Sequence, residues 1–151
     1  MIRKARIEDV KTIHSLVNHF AERGLMLPRS LSELYENLRD FCVYEIDGKI
    51  VGCAAVHIVW EDLCELKSLA VREKYQKRGV GSALVKRCLS EGRKLGMPKM
   101  FVLTSQPEFF EKHGFKRISK DSLPHKIWAE CVKCPKFPDC DEVAMLISLK
   151  G

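Results

Sequence analysis

The stretch Leu66–Leu89, LKSLAVREKYQKRGVGSALVKRCL, combines three local patterns that together predict the fold. Its start, Leu66–Val71, predicts a buried strand, because apolar residues predominate and few polar ones interrupt them. A charged turn then leads to the glycine-containing loop Gln76–Gly81. Apolar residues recur after that with the helical period, at Val80, Leu84, Val85 and Leu89. A strand, a glycine-containing turn and a helix start in this order are typical of a backbone site for an anion.

The glycine-containing loop has the chemistry that a phosphate requires. Glycines let the backbone approach a ligand closely, and the first N–H groups of a helix have no intrahelical acceptor. The helix dipole adds about half a positive charge at the same end. Lys77 and Arg78 add further positive charge beside it. We therefore expect a pyrophosphate to bind at this loop.

Two common phosphate-binding motifs are excluded by the residues around the glycines. A Walker loop needs a Lys-Ser or Lys-Thr pair after its last glycine, and none follows Gly81. A Rossmann fingerprint needs a third glycine at the position that Leu84 occupies. The loop therefore predicts neither a P-loop nor a dinucleotide-binding domain.

The pattern Gln76-x-x-Gly79-x-Gly81, placed after the strand that ends in Ser68–Val71, resembles the acetyl-CoA loop of the GNAT (Gcn5-related) N-acetyltransferase family. The later segment Phe109–Phe115, FFEKHGF, resembles a second motif of that family. The resemblance covers the whole chain and implies one GNAT domain over residues 1–151, with an α/β (α+β) fold. Its mixed central sheet would be splayed at the acetyl-CoA strand and flanked by helices.

The resemblance also implies which residues bind acetyl-CoA as a co-substrate. In GNAT proteins a bulge in the strand before the loop splays the sheet. Backbone atoms of Leu69, Ala70 and Val71 would hold the acyl carbonyl and the pantetheine arm. The pyrophosphate would be held by Gln76, Lys77, Arg78, Gly79, Val80, Gly81 and Ser82.

Acyl transfer to an amine needs a base for the amine and stabilisation of the departing thiolate. Glu65 and Lys67 share one face of the strand, since side chains alternate with period two. Glu65 is therefore the candidate base, directly or through water, and an ion pair with Lys67 is the structural alternative. Glu61 and Asp62 are the other nearby acids. The usual GNAT tyrosine falls on Phe110, so another residue protonates the thiolate or it leaves as the anion.

Four segments resemble the short, stand-alone N-acetylglutamate synthases within the GNAT family, which begin arginine biosynthesis. They are Leu25–Ser30, Glu65–Val71, Leu103–Phe110 and Cys134–Met145. The implied acceptor is a small acidic amino acid, L-glutamate, whose α-amine attacks the thioester directly. Another amino acid such as glutamine, a polyamine or a protein amine stays open as the acceptor. So does a non-catalytic domain that binds acetyl-CoA as a sensor or partner module.

The two carboxylates of glutamate require cations in the acceptor site. Arg29, in the apolar loop between the first two predicted helices, can hold a carboxylate through two parallel hydrogen bonds. A surface position after Pro28 is the alternative for this residue. Lys67 is a second candidate cation, and Thr104 and Ser105 would add hydroxyl donors.

Composition and charge bear on the other classes of partner. The net charge of +6 comes from basic residues spread along the chain, without interleaved aromatics or zinc-finger spacing, so we expect no nucleic-acid partner. No run approaches the roughly 18 apolar residues of a membrane span, and no signal pattern follows Met1. We therefore expect a cytoplasmic protein without a membrane partner. Homodimerisation stays open.

The seven cysteines do not predict a disulfide framework, because their number is odd and no secretion signal is present. Cys131, Cys134 and Cys140 lie close in sequence, with His125 or Asp141 as a further ligand candidate. A structural zinc normally takes four ligands in two close pairs, and the second pair is broken here. We predict no metal, and redox-sensitive or packing thiols are the other interpretations.

The remaining patterns predict a β-α-α-β-β-β-α-β-α-β order with a final strand. The predicted strands are Ile2–Arg6, Phe41–Ile46, Lys49–Trp60, Leu63–Val71, Met100–Thr104, Phe115–Ile118 and Val143–Leu149. The predicted helices begin at Glu8 with a stop at Gly24, and cover Ser30–Arg39, Val80–Leu95, Phe109–His113 and Pro124–Glu130.

Overall fold

The protein forms a seven-stranded mixed sheet with helices on both faces, in a computed structural model that describes residues 1–123 and 142–150. The strand order is β1-β2-β3-β4-β5-β7-β6. The strands are β1 Ile2–Lys4, β2 Phe41–Ile46, β3 Lys49–Trp60, β4 Leu63–Val71, β5 Lys99–Thr104, β6 Lys116–Ile118 and β7 Val143–Ser148. The helices are α1 Val10–Ala21, α2 Leu31–Glu36, α3 Val80–Lys94 and α4 Pro107–Glu111. The mixed sheet and the predicted order of elements are confirmed.

Both faces of the sheet are buried, because β2 and β3 send apolar side chains to each side. Phe41 and Val43 of β2 pack with α1 and α2, whereas Cys42 between them packs with α3 on the other face. The apolar face of α1 consists of Val10, Ile13, Leu16, Val17 and Phe20. The apolar face of α3 consists of Val80, Leu84, Val85, Cys88 and Leu89. For α3, the helical period in the sequence correctly predicted four of these buried positions, Val80, Leu84, Val85 and Leu89.

Several predicted boundaries shift by a few residues in the structure. A 3₁₀ turn, Ile7–Asp9, precedes α1, and α2 ends before a second 3₁₀ turn, Leu38–Asp40. The short helix α4 begins two residues earlier than predicted, with Pro107 in its first turn, where the missing N–H costs nothing. The predicted helix at 124–130 lies outside the described residues.

The sheet opens in its middle, between β4 and β5. These two parallel strands pair only at Cys64 with Met100 and at Glu65 with Phe101. Beyond this point β5 continues to pair with β7 as far as Thr104. The edges of β4 and β5 therefore diverge, and the splay that the sequence implied is confirmed.

A bulge in β4 accompanies this divergence. Lys67 pairs with Ala55 and Ala70 pairs with Cys53, so two residues of β4, Ser68 and Leu69, oppose one residue of β3. Ser68 has a φ of +56°, a left-handed conformation that is uncommon for a residue with a side chain. A bulge disrupts the ladder locally and leaves its extra residue unpaired. Both residues of the bulge, Ser68 and Leu69, line the opening beside β5.

No helix within residues 1–123 and 142–150 has the length and apolar character needed to cross a membrane.

Candidate active site

A cavity of about 620 Å³ lies where β4 and β5 diverge. Its walls include the bulged strand, the glycine-containing loop, the start of α3, the end of β5 and helix α4. Of the predicted site residues, it brings together Lys67, Leu69, Ala70, Val71, Gln76, Lys77, Gly79, Gly81, Ser82, Thr104 and Ser105. These positions are far apart in sequence and meet only because the sheet splays at this point.

The loop before α3 bends through two left-handed residues. Lys77 has a φ of +63°, and Gly79, which caps α3, has a φ of +86°. The first backbone hydrogen bond of the helix runs from Ala83 N to Gly79 O, at 3.0 Å. The amides of Gly81 and Ser82 therefore precede the first bonded turn and lie at the positive end of the helix dipole. This geometry suits a phosphate.

Gln76 lines the cavity at the start of this loop. Its Nε2 donates to the carbonyl oxygen of Val71, at 2.9 Å. The side chain thus ties the loop back to the end of β4 and fixes the turn between them. Arg78 is exposed, and its guanidinium lies 5.8 Å from the centre of the Tyr75 ring.

Helix α4 covers the start of α3 with aromatic rings. The Phe109 ring packs over Gly81, where a Cβ would lie 3.4 Å from Cζ of Phe109, an ordinary contact distance. Phe110 is 4% exposed and stands edge-on to both Phe109 and Phe115. The position of the family's usual tyrosine is therefore part of the apolar core.

Glu65 and Lys67 are neighbours on β4, as the period-two pattern predicted. The Lys67 Nζ lies 4.0 Å from Oε1 of Glu65, and both side chains are nearly buried. Lys67 lines the cavity, whereas Glu65 lies behind it and does not. A proton passing from an amine in the cavity to Glu65 would therefore need an intervening water.

Arg29 is buried, with 7% of its surface exposed, so the surface position is excluded. Asn18 of α1 holds the Arg29 backbone on both sides: the Asn18 side chain accepts from Arg29 N at 3.2 Å and donates to Arg29 O at 3.0 Å. The guanidinium Nη1 donates to Oγ of Ser68 at 3.2 Å. Arg29 does not line the cavity itself, but Ser68, to which it binds, does.

The charge of Arg29 is only weakly compensated within the described part of the chain. Its Nε lies 3.8 Å from a carboxylate oxygen of Glu33, a residue that is largely exposed. This buried Nε makes no hydrogen bond to any described residue. A buried charge that lacks a full set of acceptors favours binding of an anion from outside.

At the far side of the cavity, Thr104 and Ser105 end β5. Thr104 is buried, and its Oγ1 accepts from Gln106 N at 2.9 Å, so this hydroxyl can still donate to a ligand. Further lining residues were not predicted as site residues, among them Phe20, Leu25, Met26, Gln106, Lys112 and Glu142. Leu25 and Met26 belong to the apolar loop that the sequence analysis singled out, but no local pattern marks Glu142.

Two of the described cysteines are held in the unreactive thiol form. Cys42, Cys53, Cys64 and Cys88 are free and buried. Burial raises the pKa of the Cys53 thiol to about 12 and that of Cys64 to about 11, so both stay protonated at neutral pH. The cysteines at 131, 134 and 140 lie outside the described residues.

A second cavity, of about 750 Å³, lies beside β1 and the turn between β2 and β3. Within it, Arg3 pairs with Asp9 at 2.7 Å and with Glu45 at 3.1 Å. None of the predicted site residues lines this cavity.

Comparison with known proteins agrees with this geometry. Residues 37–117 match the family described as the Acetyltransferase (GNAT) domain. The chain is 38% identical to an uncharacterized N-acetyltransferase of Chlorobaculum tepidum, over 98% of this chain and 96% of that protein. It is also 38% identical to an amino-acid acetyltransferase of Mycobacterium tuberculosis, over 86% of this chain and 76% of that protein.

A solved structure extends the comparison to the bound state of a relative. The N-acetylglutamate synthase of Neisseria gonorrhoeae, complexed with coenzyme A and N-acetyl-glutamate, superposes with a TM-score of 0.90 at 28% identity. The match covers all of this chain but 35% of that one, so this chain spans about a third of that relative. Together with the splayed sheet and the helix start at Gly79, these similarities show that the chain belongs to the GNAT acetyltransferase family and uses acetyl-CoA as its co-substrate.

Proposed function

We propose that this enzyme transfers the acetyl group of acetyl-CoA to the α-amine of an amino acid, and that the amino acid is L-glutamate. The observation that carries the proposal is the buried, incompletely compensated guanidinium of Arg29, bound to Ser68 at the cavity wall. The names of two relatives support it: the M. tuberculosis protein is an amino-acid acetyltransferase, and the gonococcal synthase structure contains N-acetyl-glutamate. With L-glutamate as the acceptor, the reaction is the one that begins arginine biosynthesis.

Acetyl-CoA would lie along the bulged strand and the glycine-containing loop. The backbone of Leu69, Ala70 and Val71 would hold the acyl carbonyl and the pantetheine arm. Amides from Gln76 to Ser82 would hold the pyrophosphate, with Lys77 and Arg78 adding positive charge. Hydrogen bonds to the carbonyl oxygen would stabilise the negative charge that develops there as the amine attacks.

Glutamate would enter the cavity between the apolar loop and β5. Lys67, which lines the cavity, and Arg29, which would reach the ligand past Ser68, would supply the cations for its carboxylates. Thr104 and Ser105 would supply the hydroxyl donors. Arginine suits this task because its planar fork can bind both oxygens of one carboxylate. A polyamine acceptor would place cations against these cations, so the charges disfavour it.

In this reaction the attacking amine must lose a proton, and coenzyme A must leave as a thiolate. Glu65 would take the amine proton through a water beside Lys67, since its carboxylate lies behind the cavity wall. The new amide bond forms as the thioester C–S bond breaks. Phe110 has no proton to donate, so coenzyme A would leave as the thiolate anion. This is feasible near neutral pH because a thiol has a pKa of about 8.5.

Turnover with a panel of acceptors tests this function. Release of free coenzyme A should be measured with a thiol reagent for glutamate, glutamine, aspartate, spermidine and a peptide amine. We expect glutamate to give the highest kcat/KM. Turnover with another amino acid would preserve the chemistry but contradict the acceptor. Tight binding of acetyl-CoA without turnover of any amine would contradict catalysis and favour a sensor module.

Replacing Gly79 by alanine tests the proposed pyrophosphate loop. The φ of +86° at Gly79 is strained for a residue with a side chain, although a Cβ there would meet no atom within 4 Å. We expect the loop to relax away from its binding geometry and the KM for acetyl-CoA to rise roughly five- to tenfold, from about 1 kcal/mol of strain. The kcat should change little.

Gly96→Ala is the matched control, because Gly96 has a φ of +83° and equally open surroundings at the opposite end of α3. Both variants should lose about 1 kcal/mol of unfolding free energy. Only Gly79→Ala should raise the KM. An equal rise in both variants would show that general destabilisation, and not the loop, causes the effect.

A further inference from the structure

His113 lies just beyond α4 and contacts the third residue of α3. Its Nε2 is 3.1 Å from Oγ of Ser82. Ser82 lines the cavity at the end of α3 where the helix amides are unpaired, whereas His113 does not line it. The histidine is thus placed behind a hydroxyl that can touch the ligand.

The position of the imidazole is held from several sides. Its ring stands edge-on to Phe109, with 5.2 Å between the ring centres. The backbone N–H of His113 donates to the carbonyl oxygen of Phe110, at 3.0 Å. The ring is therefore anchored to α4 while it reaches across to α3.

The surroundings of the imidazole favour its neutral form. Burial lowers the pKa of His113, and the positive charge of Lys86 on α3 lowers it further. A neutral imidazole carries one N–H, which can lie on either nitrogen. A charged histidine at this helix end, which the sequence position alone would suit, is therefore disfavoured.

The direction of the contact decides what Ser82 can do. A hydroxyl has one proton to donate. If His113 accepted that proton, Ser82 would present only lone pairs to the cavity and would repel an anion. If Nε2–H donates to Oγ, the Ser82 proton is free to point into the cavity. A phosphate oxygen as ligand selects the second arrangement.

We propose that His113 is a positioning residue for acetyl-CoA: its Nε2–H donates to Ser82, and the Ser82 hydroxyl then donates to a pyrophosphate oxygen. The inference rests on the proposed function of the loop as the pyrophosphate site. It adds a donor to the backbone amides of α3. It also couples α4, which carries Phe110 in place of the tyrosine, to the binding of the co-substrate.

The test compares His113→Phe, Ser82→Ala and the double variant, each with two acyl donors. With acetyl-CoA, we expect Ser82→Ala to raise the KM about tenfold, as for a lost hydrogen bond to a charged group. His113→Phe keeps an aromatic ring against Phe109 but removes the donor, and should raise the KM several-fold. The double variant should be no worse than Ser82→Ala, because His113 acts through the hydroxyl. All kcat values should stay near that of the wild type.

With S-acetylpantetheine, which has no phosphate, the three variants should match the wild type. A loss that appears equally with both donors would overturn the proposal and would indicate a general packing role. So would a double variant in which the two losses multiply. A fall in kcat with KM unchanged would also overturn it, because His113 would then serve proton transfer instead of binding.

His113→Gln keeps the inference testable if the phenylalanine variant folds poorly. Its amide N–H₂ can donate to Ser82 at nearly the same place, so it should restore a KM near that of the wild type. Thermal unfolding should first show that both variants are folded. If the KM for acetyl-CoA is then as high in His113→Gln as in His113→Phe, the donor role is contradicted. The wild type's own preference for acetyl-CoA over S-acetylpantetheine tests the loop separately from His113.

Discussion

Replacement of Arg29 by glutamine is expected to lower kcat/KM for L-glutamate about 100-fold, which corresponds to two lost hydrogen bonds to a charged group. The guanidinium is 7% exposed, reaches Ser68 on the bulge, and retains a buried Nε without an acceptor among the described residues. A carboxylate that binds it gains a fixed, partly desolvated partner. Glutamine keeps much of the length of the side chain but has neither the charge nor the fork.

Arg29→Lys should fall between the wild type and Arg29→Gln, since a lysine keeps the charge and loses the parallel bonds. Arg6→Gln is the matched control, because Arg6 pairs with Glu8 at the exposed surface. It should leave the kinetics unchanged. Binding of acetyl-CoA, measured by calorimetry, should persist in all three variants. An Arg29→Gln enzyme with normal kcat/KM for glutamate would show that the carboxylate binds elsewhere.

The acceptor panel can also locate the carboxylate that Arg29 holds. L-glutamine shares the α-carboxylate of glutamate but has no charge on its side chain. If Arg29 holds the side-chain carboxylate, Arg29→Gln should reduce turnover of glutamate and leave turnover of glutamine nearly unchanged. If Arg29→Gln reduces turnover of both acceptors equally, Arg29 holds the α-carboxylate.

Replacement of Glu65 by glutamine is expected to lower kcat about 100-fold or more, which is typical for the loss of a general base. The Glu65 carboxylate lies 4.0 Å from Lys67 Nζ. Lys67 lines the cavity, whereas Glu65 does not. Glutamine preserves the shape of the side chain but cannot accept a proton from water. The KM for acetyl-CoA should not change, because Glu65 does not line the cavity in which the co-substrate would bind.

Two further measurements separate a base from a residue that only holds Lys67. Asp62→Asn is the control for a nearby acid, since Asp62 pairs with Lys99 at 3.6 Å in the turn before β4. This variant should leave kcat and the KM for glutamate unchanged. Hydroxylamine, an acceptor that is largely unprotonated at neutral pH, should react equally well with the wild type and with Glu65→Gln. If Glu65→Gln instead raised the KM for glutamate with kcat unchanged, positioning of Lys67 would be its role.

Local patterns predicted the parts of this site that lie close together in sequence. The strand and helix around Gln76–Gly81 follow from hydrophobic period and glycine placement, both of which act within a few residues. The shared face of Glu65 and Lys67 follows from the alternation of a strand. The absence of a proton donor at Phe110 follows from the residue type alone.

The order of the strands and helices, the glycine-containing helix start and the family could all be predicted from the sequence, because each depends on short-range patterns. Contacts between side chains that are distant in sequence became known from the three-dimensional structure. Arg29 reaches Ser68 across 39 positions, and His113 reaches Ser82 across 31. It also placed Glu65 behind the cavity wall and Glu142 within it. These contacts depend on the register of β3 against the bulged β4 and on the divergence of β4 from β5. Neither the register nor the divergence could be predicted here, because no local periodicity in the sequence encodes them.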